Sequence, residues 1–149
     1  MDTVAERLTT FLGMCRQVGL KATHQRAEIY RELAGTKEHP DAATVYRRVR
    51  RRIPAISLDT VYRTLRLLEA KGVISRVVSR GDRTRFDADT ERHHHFVCRG
   101  CGAVKDFYDE ELNALCAPPE AAALGKVESV QVALLGVCTA CSAKRSRGG

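Results

Sequence analysis

Apolar side chains recur every three or four residues through the first half of the chain, and the rhythm is interrupted three times. In DTVAERLTTFLGMCRQVG, Val4, Leu8, Phe11, Leu12 and Cys15 fall on one helical face and Gly19 can end the element, so the spacing predicts a helix over residues 3–18. Thr23 can cap a second helix, HQRAEIYRELAG, with Ile29, Tyr30, Leu33 and Ala34 as its apolar face and Gly35 at its end. Asp41 can cap a third, AATVYRRVRRR, with Val45, Tyr46 and Val49 on one side and Arg47, Arg48, Arg50, Arg51 and Arg52 mostly on the other, before Pro54. Ser57 can cap a fourth over residues 58–71, in which Leu58, Val61, Leu65 and Leu68 form the stripe, Asp59 sits in the first turn and Gly72 marks the end.

After Gly72 the pattern changes. VISRVVSRGDRTRF reads as two short β-rich runs around the turn residues RGD. Helices followed by a hairpin predict a winged helix. Its fourth helix would turn Thr60, Tyr62, Arg63, Thr64 and Arg66 outward, a set able to reach phosphates and base edges in a major groove.

Charge sharpens that expectation. Residues 1–86 carry 18 Lys/Arg against 9 Asp/Glu, whereas residues 87–149 carry 7 against 9. Two domains, 1–86 and 87–149, with different partners are expected, and the basic one suits double-stranded DNA, whose phosphates reward clustered Lys and Arg through counterion release. At 149 residues and 44% hydrophobic content the chain can bury a core. No apolar run approaches the roughly 20 residues of a membrane helix. The opening MDTVAERL lacks the basic and apolar regions of a signal peptide, so a cytoplasmic protein with no membrane association is expected.

In that compartment six cysteines suggest metal before disulfides. Cys98 with Cys101 and Cys138 with Cys141 form two C-x-x-C pairs, 36 residues apart, and four thiolates suit a structural zinc that staples the ends of a domain together. Cys15 and Cys116 have no such partners and are expected as small core residues. RHHHFVCRGCG adds a second candidate site. On a strand, His93 and His95 share one face while His94, Phe96 and Cys98 take the other. Asp87 and Asp106 are oxygen donors in range along the sequence, and His39 could join from the basic half. Such a set suits Fe(II), Mn(II), Zn(II) or Co(II). No general base or substrate pocket stands out beside it, so an enzyme is not expected.

Over nearly its whole length the chain resembles the ferric uptake regulator (Fur) family: GLKATHQRAEIYREL resembles its second-helix motif, SLDTVYRTLRLLEAKGVI its recognition helix, and HHHFVCRGCGAVKDF with GVCTAC its metal-binding domain. The resemblance implies an α+β protein, a dimeric metal-dependent repressor with an N-terminal winged helix and a C-terminal α/β dimerisation domain. Carried over by position, it implies a regulatory site of His39, Asp87, His93, His95 and Asp106 and a zinc on Cys98, Cys101, Cys138 and Cys141. Aspartate at both 87 and 106 resembles the peroxide-responsive (PerR) branch, where uptake regulators usually carry glutamate. That branch implies oxidation of a ligand imidazole, His39 or His93, when the resident metal is Fe(II), and none with Mn(II). Arg63 is more typical of the uptake branch, so an iron- or zinc-responsive uptake repressor is the alternative. Ser129 and Val130 stand near a position where many relatives place a further ligand histidine, so no second regulatory site is expected.

Overall fold

Four helices and a hairpin wrap one core in the first part of the chain. In the computed structural model, which describes residues 3–77 and 83–148, these are α1 (Val4–Gln17), α2 (His24–Ala34), α3 (Ala42–Val49), α4 (Leu58–Ala70), β1 (Ser75–Val77) and β2 (Arg85–Asp87). Each helix starts at a polar cap: Thr3 and Glu6 form a reciprocal capping box, and Thr23, Asp41 and Ser57 accept from Arg26, Thr44 and Thr60. The apolar stripes meet in a cluster that includes Phe11, Cys15, Ile29, Leu33, Val45, Val49, Val61, Leu65, Leu68 and Phe86, with Phe11 stacked on Tyr30 at 4.9 Å. Cys15 is a core residue, as its spacing predicts.

Two helices end differently from the sequence expectation. α3 stops at Val49, not Arg52. Arg51 and Arg52 close it with tighter bonds to the carbonyls of Arg48 and Val49, because Ile53 precedes a proline and is barred from helical backbone. α4 ends one residue early, and Gly72, at φ +72°, lets Val73 N–H reach back to Leu68 O. The hairpin pairs β1 with β2 antiparallel, Arg76 opposite Phe86, and Arg76 forks onto Glu69 of α4 at 2.9 and 3.1 Å. The expected RGD turn lies outside the described residues.

Arg52 also ties the α3–α4 connection to α2, bonding both Glu28 and Glu32. Burial pushes the Glu28 carboxyl up, but the hydrogen bond and charge of Arg52, with Arg31 at 3.5 Å, outweigh it and hold the pKa below its ordinary 4.5. A depressed carboxylate stabilises above its unfolded pKa and loses that contribution as pH falls through the folded one. Glu28→Gln is therefore expected to cost about 2 kcal/mol near pH 7. In urea melts the gap between variant and parent should narrow as pH falls below the ordinary carboxylate range. A gap that is constant with pH would remove the ion pair as its cause.

The remaining elements are β3 (His94–Cys98), β4 (Val104–Phe107), α5 (Glu110–Asn113), α6 (Pro119–Ala122), β5 (Ala133–Gly136) and α7 (Thr139–Arg147). They form a three-stranded sheet of order β4-β3-β5, antiparallel on one side of β3 and parallel on the other. Of residues 126–138 only the four of β5 are a strand. β5 pairs with β3 from His95↔Ala133 to Cys98↔Gly136, and β3 itself begins only at His94. Gly136 is required in this register, since a Cβ there would meet the Phe96 ring at 2.9 Å.

The chain divides into two compact units, Met1–Thr90 and Glu91–Gly149, four residues beyond the boundary that charge alone suggests. Asp87, on β2, thereby belongs to the first unit. Among the described residues no helix is long and apolar enough to cross a membrane.

Candidate metal centres and nucleic-acid face

The four paired cysteines converge at one end of the sheet. Cys98 ends β3, Cys101 sits in the turn to β4, Cys138 caps α7 and Cys141 lies in its first turn. The turn is drawn tight by Cys98 N–H to Ala103 O and Gly102 N–H to Cys98 O, both 2.9 Å, with Gly102 at φ +73°. All four Sγ atoms lie within 4.8 Å of one another. The N–H groups of Cys138 and Gly100 donate to Cys98 Sγ at 3.2 and 3.3 Å. These donors, with that of Cys101, lower the Cys98 thiol to about 6. Its neighbour is opposed: Cys138 and Cys101 push Cys141 up to about 12. A cluster in which one thiolate is favoured and the next resisted is relieved by a dication, and four sulfurs in this space fit zinc.

Gly100 leaves the room this requires. A Cβ there would stand 3.0 Å from Cys141 Sγ. Gly100→Ala is expected to weaken zinc retention about tenfold, for a packing cost of about 1–3 kcal/mol, read as release to a chromogenic chelator. Parental retention would show that the knuckle has slack.

The first unit brings His39 beside Asp87. Pro40 O accepts from Phe86 N–H at 3.2 Å and Asp41 bridges Arg85, so the residues leading into α3 are laced to β2. Across this lacing His39 Nδ1 stands 3.5 Å from Asp87 Oδ2, both side chains buried. His39 holds φ +50°, a left-handed backbone that non-glycine residues rarely adopt.

The second unit brings together His93, His95 and Asp106. In the β3–β4 register His95 faces Asp106, and Asp106 Oδ1 lies 3.4 Å from His95 Nε2 and 3.6 Å from His93 Nε2. His93 Nδ1 bonds Glu91 O at 2.7 Å; because a carbonyl only accepts, Nδ1 carries the proton and Nε2 keeps its lone pair toward the carboxylate. Two imidazoles and a carboxylate so disposed can hold a divalent transition metal with positions left open.

The third histidine of the run has a different role. His94 is fully buried on the other face; Nε2 bonds Asn113 Oδ1 at 3.0 Å and Nδ1 accepts from Val132 N–H at 3.2 Å. It ties β3 to α5 and to the approach of β5, a structural task for which Asn113 and Val132 give no sequence signal.

On α4, Tyr62 is 48% exposed, Arg66 is exposed, and Arg63 is exposed with an ion pair to Asp59 at 2.9 Å. Thr60 is half-buried, its hydroxyl 2.9 Å from that of Ser57 at the cap. Thr64 is a correction: it lies three residues after Val61 and four before Leu68, inside the apolar stripe, and is buried, so it does not face outward. Cys116 is a second correction. It is exposed in the loop after α5, its Sγ on Ala114 O at 3.6 Å, because no core extends there.

The chain matches the model of the ferric uptake regulator family over residues 17–134. A peroxide-responsive repressor from Staphylococcus aureus is 28% identical over 144 residues, 97% of each chain. A solved peroxide stress regulator from Campylobacter jejuni is 30% identical, covering 87% of this chain and 98% of its own, with a TM-score of 0.68. A zinc-bound manganese uptake regulator is 33% identical over the same shares, with a TM-score of 0.65. A winged-helix arrangement followed by a small sheet, a four-cysteine centre and buried histidines beside carboxylates all accord with that match: the chain belongs to the ferric uptake regulator family and is a metal-responsive transcriptional repressor, not an enzyme.

Proposed function

We propose that this repressor senses hydrogen peroxide, with residues 1–86 binding operator DNA and residues 87–149 dimerising. The regulatory metal, Fe(II) or Mn(II), is held by His39, Asp87, His93, His95 and Asp106, and the structural zinc by Cys98, Cys101, Cys138 and Cys141. The observation that carries the reading is the donor set of His93, His95 and Asp106, two imidazole Nε2 atoms facing one short carboxylate, which accords with the likeness to the Staphylococcus aureus and Campylobacter jejuni proteins.

When bound in these donors, Fe(II) would supply electrons to hydrogen peroxide, chemistry that Mn(II) would not supply. Glu91 O fixes the His93 tautomer and so turns Nε2 toward the side on which His95 Nε2 and Asp106 Oδ1 meet. His39 is two residues before Asp41, the cap of α3, so an oxidised His39 that no longer serves as a ligand frees the segment leading into the DNA-binding helices. Tyr62, Arg63 and Arg66 of α4 supply the contacts to DNA, and Thr60, whose N–H donates to the Ser57 cap, stands in the first turn of the helix that carries them. A second copy covers the second unit, where Leu134 and Leu135 of the edge strand β5 are 47% and 50% exposed and Leu124 is 91% exposed.

The test is peptide mass spectrometry of the Fe(II)-loaded protein before and after a low dose of peroxide, with DNA binding measured in parallel. One added oxygen on His39 or His93, with loss of DNA binding only when iron is present, is the expected result. Unmodified histidines, with binding that follows metal supply alone, would favour the second reading, an uptake repressor. The 33% identity to the manganese uptake regulator supports that reading.

A further inference from the structure

One aromatic residue beside these ligands is not used by the reading above. The β3–β4 register pairs His94 with Phe107 and His95 with Asp106; carried one step further, it sets Tyr108 opposite His93. Side chains alternate, so Phe107 turns to the far face against His94, at 5.7 Å, while Tyr108 turns to the face of Asp106. The Tyr108 and His93 rings stand 5.6 Å apart, tilted by 41°. Tyr108 is also 59% exposed, so water and small oxidants reach its ring. The other three tyrosines, Tyr30, Tyr46 and Tyr62, all lie in the first unit.

We propose that Tyr108 is a second oxidation site of this centre, its phenol ring taking oxygen from hydrogen peroxide in competition with the His93 imidazole. The proposal rests on the peroxide-sensing reading. The phenolic oxygen feeds electron density into the two adjacent ring carbons, which makes them more oxidisable than an imidazole carbon. In the step the peroxide O–O bond breaks and the C–H bond beside the phenol becomes C–OH. The second peroxide oxygen leaves as water. The ring loses two electrons and the peroxide gains two, and the product is a catechol. Each equivalent of oxidant spent on Tyr108 is one that leaves His93 intact, so Tyr108 raises the dose needed to inactivate the repressor.

The experiment titrates hydrogen peroxide into the Fe(II)-loaded full-length protein and locates added oxygen by fragment-ion mass spectrometry, with a redox-cycling stain for catechol. An Mn(II)-loaded sample runs beside it. The expected result is one added oxygen on Tyr108 as well as on a ligand histidine, only with iron; Tyr108→Phe, which keeps the ring, shifts histidine oxidation to a lower dose. Oxygen on His39 or His93 with Tyr108 unmodified overturns the proposal and leaves the peroxide reading standing. Oxygen on Tyr108 alone supports the proposal and overturns the histidine step. Equal Tyr108 oxidation with Mn(II), or none on any of the three residues, overturns the proposal, and the latter result removes the peroxide reading too.

Discussion

Replacing Cys98 by alanine is expected to abolish zinc retention and unfold the second unit, leaving the first unit helical. The two units differ in what holds them. The first has a continuous core running from Phe11 to Phe86, whereas among the described residues the buried apolar ones of the second are Val97 and Val104 with the thiols of Cys98 and Cys138. Domains this small rarely hold together on their apolar contacts alone. A structural zinc supplies about 10–16 kcal/mol of apparent binding energy, which is also folding energy. Cys98 is the ligand whose removal should matter most, because it is the last residue of β3 and the sulfur on which the N–H groups of Cys138 and Gly100 converge. It joins the turn to α7 across 40 residues of chain. The readouts are zinc per chain, expected to fall from near one to near zero, and size-exclusion chromatography, expected to show loss of the dimer. Unchanged zinc content and size would overturn the assignment.

Where a periodicity or a spacing decides a feature, the sequence is a sufficient guide. Alternation alone separates His93 and His95 from His94, Phe96 and Cys98, and the register of β3 with β4 places them so. The helix caps Thr23, Asp41 and Ser57 follow from side chains that can satisfy orphan N–H groups. The failures have physical causes as well. Thr64 occupies a stripe position, but its hydroxyl makes it read as a surface residue. Cys116 follows the general preference of thiols for burial into a loop with nothing to bury it. The partners of His94, Asn113 and Val132, stand 19 and 38 residues away, a pairing set by the closure of the sheet and not by local pattern. The left-handed backbone of His39 follows from the ties of Pro40 and Asp41 to β2, which a linear pattern does not encode.

Asp106→Ala is expected to abolish metal-dependent DNA binding while sparing zinc content and the fold. The side chain is not part of the apolar cluster, and it lies on β4 near the end of a ladder whose backbone bonds do not need it. Its loss removes the oxygen that both Nε2 atoms face, one of the two carboxylates of the proposed site. Removing a mere outer partner of a metal ligand costs about 10- to 100-fold in affinity, so loss of a direct carboxylate should cost at least about 100-fold. Fluorescence anisotropy on operator DNA, with and without Mn(II), reads this directly, because Mn(II) separates metal binding from oxidation. The parent should tighten on DNA as Mn(II) is added; the variant should stay at its metal-free affinity, with unchanged zinc per chain and an unchanged melting temperature. Retained activation by Mn(II) would remove Asp106 from the regulatory site. If zinc or the melt falls as well, the residue acts through the fold. The contrast with Cys98→Ala is the discriminating feature: the Asp106 variant loses only the response to Mn(II), whereas the cysteine variant loses zinc and the fold of the second unit.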